Sequence, residues 1–286
     1  FAKHDVAPVH VVNAAGLALP EHWKVYLPAL LLSFVLMIPA IIVAEKKNRT
    51  KQVFNGAIVL ILVTQIGFWR FGEGLWSLAF FLFVPAGTLG WLGGWLQLIA
   101  YSVITIFNIS VLTRRVPELI AERSKLQAGS KKWDVWLVML AALLMPILTW
   151  VIAGLDYRNG WSTPLSLGWM IVGTGLFIVG YLITTWAMLA NNFFSATVRI
   201  QTERGHQVAT GGPYAYVRHP GYVGAILFQI VTPLMLGSLW AFVPSIIAAV
   251  LFVVRTSLED RTLQAELPGY ADYAQHTRYR LLPGVW

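Results

Sequence analysis

Apolar runs of about 20 residues recur along nearly the whole of this 286-residue chain, and no other feature restricts its fold as strongly. A helix of about 20 apolar residues crosses the hydrocarbon core of a bilayer. A membrane barrel would instead alternate over strands of about ten residues, and no such alternation is present. The expected fold is therefore all-α, a polytopic transmembrane helical bundle. The composition agrees, with 57% of residues hydrophobic and 12% charged.

The runs predict spans at about 24–45, 92–112, 134–154 and 166–190. Residues 53–88 hold two further stretches, 53–69 and 75–88, separated by Arg70 and Glu73. Residues 221–256 read as two short helices turning at Leu236-Gly237-Ser238, a tight helical hairpin, and a polar tail runs from 257 to 286. Four segments, 46–51, 114–132, 199–218 and 255–280, hold 17 of the 21 lysines and arginines. The positive-inside rule puts all four in the cytoplasm. That requires 53–88 to cross only once and predicts about seven spans, with the N-terminus outside and the C-terminus cytoplasmic. Eight spans are the alternative. There is no internal repeat and no low-complexity segment.

Several function classes drop out early. The chain has no cysteine, so it has no disulfide framework, thiolate metal site or cysteine nucleophile. The net charge of +8 lies in loops between apolar runs rather than on a soluble basic domain, so no nucleic-acid partner is expected. Neither a metal-ligand set nor a catalytic triad is evident. The chain opens at Phe1, which reads as a missing or processed start, with no intact signal peptide. Trp23, Trp69, Trp91, Trp133, Trp161 and Trp240 sit near span ends, where interfacial anchoring is the expected role. Gly173, Gly175 and Gly180 fit close helix packing.

The chemistry concentrates at 211–224, GGPYAYVRHPGYVG, a polar, turn-rich stretch between two apolar segments. Ionisable groups at the mouth of a membrane bundle cost free energy unless paired or solvated, which makes them functional candidates. Gly211, Gly212 and Pro213 predict a turn. Pro220 suits the first turn of the next helix. Gly221 and Gly224 leave the backbone open to a ligand, and free N–H groups at that helix start suit a carboxylate. Arg218 and His219 come just before it. The alternative is an ordinary interfacial loop with a snorkelling arginine. A second cluster, Arg255, Glu259, Asp260, Arg261 and Glu266, follows the last span. Arg255, Glu259 and Glu266 fall on one helical face; the alternative is a solvated face paired within itself. The hairpin returns the chain to the same membrane side, so the two clusters are expected to meet.

These residues resemble a known family. Gly212, Pro213 and Tyr214, then Arg218, His219, Pro220, Tyr222 and Gly224, then Arg255 and Glu259, and a closing Tyr270 and Tyr273 look like the isoprenylcysteine carboxyl methyltransferases. The related phospholipid N-methyltransferases share much of the pattern. The resemblance covers 191–286 and extends loosely to 117–123, which is similar to a loop of the prokaryotic branch. It divides the chain into an N-terminal extension with one added span and a linker (1–75), a transmembrane bundle (76–190) and a catalytic region (191–286).

The resemblance implies a multi-pass membrane enzyme, of the inner membrane if prokaryotic, that uses S-adenosyl-L-methionine without a Rossmann domain. Its cofactor pocket would lie on the cytoplasmic side, between the last helices and the C-terminal tail. The loop 206–219, with His206, Gly212, Pro213, Tyr214, Arg218 and His219, would enclose the cofactor together with Pro220, Tyr222 and Gly224. Glu259 would face the cofactor's amino group, Tyr270 and Tyr273 would close the lid, and Arg255 would pair with an acceptor carboxylate. The acceptor is a lipophilic or small molecule reached from the lipid bilayer: a prenylcysteine-like acid, a lipid amine, a thiol or an isoprenoid. Competing readings are a membrane NADPH-dependent reductase of the sterol type, a non-catalytic subunit with partners in a membrane complex, and a transporter.

Overall fold

The computed structural model describes residues 73–119 and 129–286; the expected span at 24–45, the basic cluster at 46–51 and residues 120–123 of the upstream motif lie outside the described residues. The chain divides into two units, Phe1–Phe80 and Phe81–Trp286, and the bundle with its site lies in the second.

Among the described residues every regular element is helical. They are α1 (Glu73–Ala86), α2 (Leu92–Arg115), α3 (Lys132–Asn159), α4 (Leu167–Ala190), α5 (Pro220–Leu236), α6 (Phe242–Glu266) and α7 (Tyr270–His276). Helices α2, α3, α4 and α6 are long and apolar enough to cross a membrane, and α5 is a shorter apolar helix. Of the five spans expected from residue 92 onward, four fall on helices of crossing length, α2, α3, α4 and α6, and the other falls on the shorter α5. Their outer faces expose Ile99, Val103 and Ile106 on α2 and Trp169 and Ile171 on α4, as a lipid-facing surface requires.

Local chemistry explains the element ends. Arg114 and Arg115 occupy the last turn of α2, where cations favour the helix dipole. Pro220 opens α5, and Gly237 closes it with φ of 74° in the left-handed region. Helix α3 changes to π register over Met139–Leu144, just before Pro146, whose missing N–H interrupts the regular ladder. Helix α6 differs from expectation. It does not stop where the charges begin but runs on to Glu266, 25 residues in all, so residues 257–266 are helix rather than tail.

Successive spans run up and down, and α4 lies antiparallel against α5 through small residues. A methyl group at Gly224 would sit 2.3 Å from the Gly180 carbonyl oxygen, and one at Gly173 would sit 2.6 Å from the Met235 nitrogen. Gly175 meets nothing and faces outward. Beside this seam, Tyr181 stacks on Phe228 at 4.2 Å. At the end of the bundle remote from the motif loop, buried Asp156 accepts bonds from Ser162 and Ser238 and so ties two turns together. Trp91 is there too, and it is not an exposed interfacial anchor. It is 2% exposed, stacks on Tyr157 and donates to the Leu236 carbonyl at 3.3 Å.

Candidate functional site

At the other end, the loop 191–219 folds over the ends of α3, α4, α5 and α6. Turns at Thr202–Arg204 and Gly212–Ala215 shape it. Its backbone pairs with the tail, as Arg218 N–H donates to the Tyr279 carbonyl at 2.9 Å and His219 N–H to that of Arg280 at 3.0 Å.

The electrostatic centre is Asp260, a fully buried carboxylate. Arg218 grips both its oxygens, at 2.7 and 3.0 Å. His219 Nε2 lies 3.2 Å away, and the Tyr270 hydroxyl, Arg280 Nε and Gln264 Nε2 donate at 3.1, 2.8 and 2.8 Å. Arg218 Nη1 also reaches the carbonyls of Thr277 and Arg278. One carboxylate thus joins the motif loop, α6, α7 and the tail. A desolvated carboxylate is tolerable only with such a full donor shell.

A second buried pair lies across the chamber. Arg255 Nε and Nη2 contact the Asp134 oxygens at 2.6 and 2.9 Å, and Nη2 also donates to the Ala196 carbonyl. Asp134 in turn accepts from Val198 N–H at 2.7 Å, which fastens the loop to α3. The bidentate grip foreseen for an acceptor carboxylate is therefore made to Asp134; Nη1 takes no part in it. The Arg255 guanidinium lies 5.1 Å from the centre of the Tyr222 ring, and the Tyr222 hydroxyl donates to Glu259 Oε2.

Between these pairs is a cavity of about 290 Å³. Of the residues singled out by sequence, His206, Tyr214, Arg218, His219, Gly221, Tyr222, Arg255, Glu259, Tyr270 and Tyr273 line it. Gly212, Pro213, Pro220 and Gly224 do not. Gly212, at φ 60°, and Pro213 build the turn that backs onto Trp186 and Ala190. Pro220 starts α5, and Gly224 is used up in packing against α4. Glu266 turns away from the cavity and pairs with Lys131 at 2.7 Å. Asp260, expected only as a member of the second charged cluster, meets Arg218 and His219 as that cluster's placement predicts, whereas neither Asp134 nor Phe193, which stacks on His206 at 4.6 Å, is singled out by sequence. A carboxylate in the first turn of an apolar helix was the available signal for Asp134.

Titration follows from burial. The Tyr273 phenol is pushed up to about 12, chiefly by desolvation, and donates to the Tyr214 carbonyl at 2.6 Å. Tyr214 and Tyr270 are raised further, by burial first, with the Asp260 charge adding at Tyr270. His206 is held below its ordinary value by burial and then by the charges of Arg199 and Arg204. Its Nδ1 meets the Gln201 N–H at 3.3 Å, a contact that suits the neutral ring.

Comparison with known proteins places this architecture. Residues 172–265 match the isoprenylcysteine carboxyl methyltransferase (ICMT) family. Over 131 residues the chain is 28% identical to protein-S-isoprenylcysteine O-methyltransferase of Schizosaccharomyces pombe, covering 40% of this chain and 56% of that protein. Over 139 residues it is 31% identical to the cobalt-zinc-cadmium resistance protein CzcN of Cupriavidus metallidurans, covering 46% and 58%. A 64-residue stretch is 44% identical to the inner membrane transport protein YajR of Escherichia coli, covering 22% and 14%. The chain therefore spans little more than half of the Schizosaccharomyces pombe and Cupriavidus metallidurans relatives and a small part of the transport protein. The region that carries α5, nearly all of α6 and both buried ion pairs' arginines belongs to the isoprenylcysteine carboxyl methyltransferase family.

Proposed function

We propose that this chain is an integral-membrane methyltransferase that takes a methyl group from S-adenosyl-L-methionine and places it on a lipophilic or small acceptor. An isoprenylcysteine-like carboxylate, a lipid amine and a thiol are the candidate acceptors. The family of residues 172–265 supports the reaction class. The observation that carries the reading is that Arg255 and Glu259, one turn apart on α6, line a single chamber together with Tyr270 and Tyr273.

The residues present fit the cofactor. Its ammonium needs an anion, and Glu259 is a part-buried carboxylate on the wall. Its purine needs flat faces, which the stacked Phe193 and His206 rings and Tyr222 offer. Its carboxylate suits the motif loop beside Arg218 and His219. In this assignment Gly212, Pro213, Pro220 and Gly224 shape the backbone that carries the contacting side chains.

When bound, the cofactor supplies an electrophilic methyl group. A carboxylate or thiolate acceptor needs no general base, so the protein's work is positioning and electrostatics. Asp134 orients Arg255, whose Nη1 is left to hold the acceptor's anionic end. Tyr270 and Tyr273 exclude water while remaining protonated. The concentration of basic residues at this end supports a cytoplasmic site.

Calorimetry of the detergent-purified chain with S-adenosylhomocysteine, and with NADPH as control, tests the reading. Micromolar binding of the first alone is expected. Binding of NADPH alone would move the chain to the reductases, and binding of neither would make it a non-catalytic subunit.

A further inference from the structure

A second cavity, of about 120 Å³, lies deeper among α2–α6. The two chambers share a wall made by Ala142, Phe228 and Phe252. Along α5, the seven residues from Tyr222 in the outer chamber to Gln229 in the inner one amount to about 10 Å of rise. The inner chamber thus continues the outer one into the bundle.

Its lining is unusual for that depth. Gln97, Tyr101, Tyr181, Gln229 and Thr232 all border it. Thr232 is satisfied by the Phe228 carbonyl at 2.7 Å, and Gln229 Nε2 reaches Thr149 at 3.5 Å. Gln97 differs: it is 1% exposed, and its Oε1 has no hydrogen-bond partner. An orphaned polar atom is costly in any interior and more so in a bundle surrounded by lipid. The amide oxygen and nitrogen can be exchanged by a flip of the side chain. A hydroxyl satisfies either orientation, because it both donates and accepts. The volume exceeds what one water fills, since each takes about 30 Å³.

We propose that the inner chamber receives the far end of the methyl acceptor, and that Gln97 selects an acceptor whose lipophilic tail carries a hydroxyl rather than ending in hydrocarbon. Calling the occupant an acceptor rests on the methyltransferase reading; the selection by Gln97 does not. Gln97 is a specificity residue here, remote from the reacting atoms.

The test uses the full chain in lipid nanodiscs and two tritiated probes, S-farnesyl-N-acetylcysteine and its ω-hydroxyfarnesyl counterpart. Equilibrium binding to the wild type is expected to favour the hydroxylated probe by about tenfold or more, the worth of one well-made buried hydrogen bond. In Gln97→Met, which keeps the volume and removes the polar atoms, the two probes should bind equally, with the plain probe held as well as before. Equal binding to the wild type overturns the proposal. So does a preference that survives in Gln97→Met, or binding of neither probe, which leaves water as the occupant. The wild-type comparison stands even if the variant does not fold. Methyl transfer measured in parallel separates the two readings. Preference without transfer keeps Gln97 as selector and rejects a prenylcysteine carboxylate as the methyl acceptor; transfer without preference does the reverse.

Discussion

Arg218 holds both oxygens of Asp260, at 2.7 and 3.0 Å, across 42 positions of sequence, and both side chains are buried. Breaking such a pair strands a charge and costs about 3–5 kcal/mol. Asp260→Ala should therefore lower the thermal midpoint in detergent by several degrees and make the segment 269–286 sensitive to protease. Limited proteolysis reads this directly; an unchanged digestion pattern would show that the tail is held by other contacts.

Arg255 and Glu259 share a helix face but are assigned different tasks. Arg255→Ala should reduce methyl transfer by about 100-fold or more, while S-adenosylhomocysteine affinity stays within about twofold. Glu259→Gln should instead weaken that affinity by about tenfold. Equal losses of affinity in the two variants would put Arg255 on the cofactor.

His206 gives the site an acid limit. Its folded-state proton affinity is lowered by burial and by Arg199 and Arg204. The contribution of the neutral ring is therefore complete above the unfolded value of about 6.5 and is lost as pH falls through the lower folded value. A protonated Nδ1 can no longer accept from Gln201 N–H. Affinity for S-adenosylhomocysteine should fall between pH 7 and pH 5, and His206→Gln should flatten that part of the profile. A wild-type profile that is already flat would remove His206 from the cofactor wall.

Gly224 and Gly175 make a matched pair of tests. Gly224→Ala puts a methyl group 2.3 Å from the Gly180 carbonyl oxygen and should destabilise by about 1–3 kcal/mol. Gly175→Ala meets nothing and should be neutral or stabilising by up to about 1 kcal/mol through helix propensity. Thermal unfolding of both variants in one detergent measures the difference. Similar midpoints would argue against tight α4–α5 packing.

Much of the bundle was legible because hydropathy reports membrane depth directly: the limits of α2, α3 and α4 follow the apolar runs within a few residues. The motif loop stood out because Arg218 and His219 are expensive in that setting. What periodicity could not reveal was pairing over distance. Asp134 lies 121 positions from Arg255, and nothing local links the two. The length of α6 was obscured because a hydropathy reading ends at the first charges, whereas Arg255 and Asp260 are buried against partners and the helix continues. Trp91 misled for a related reason. A tryptophan near a span end has the same local signature whether it faces the interface or stacks beneath a turn.

The six hydrogen bonds that converge on Asp260 also shape how this site can change. A substitution at any one of those neighbours disturbs an anchor used by all the others, so drift on that wall is constrained collectively. The stretch of α3 beyond Asp134, where the π-register turn brings Ala142 to both chambers, has no comparable anchor. New acceptor ranges should therefore evolve, in nature or in selection experiments, by replacements along α3 and the facing side of α2, while the Asp260 wall stays fixed.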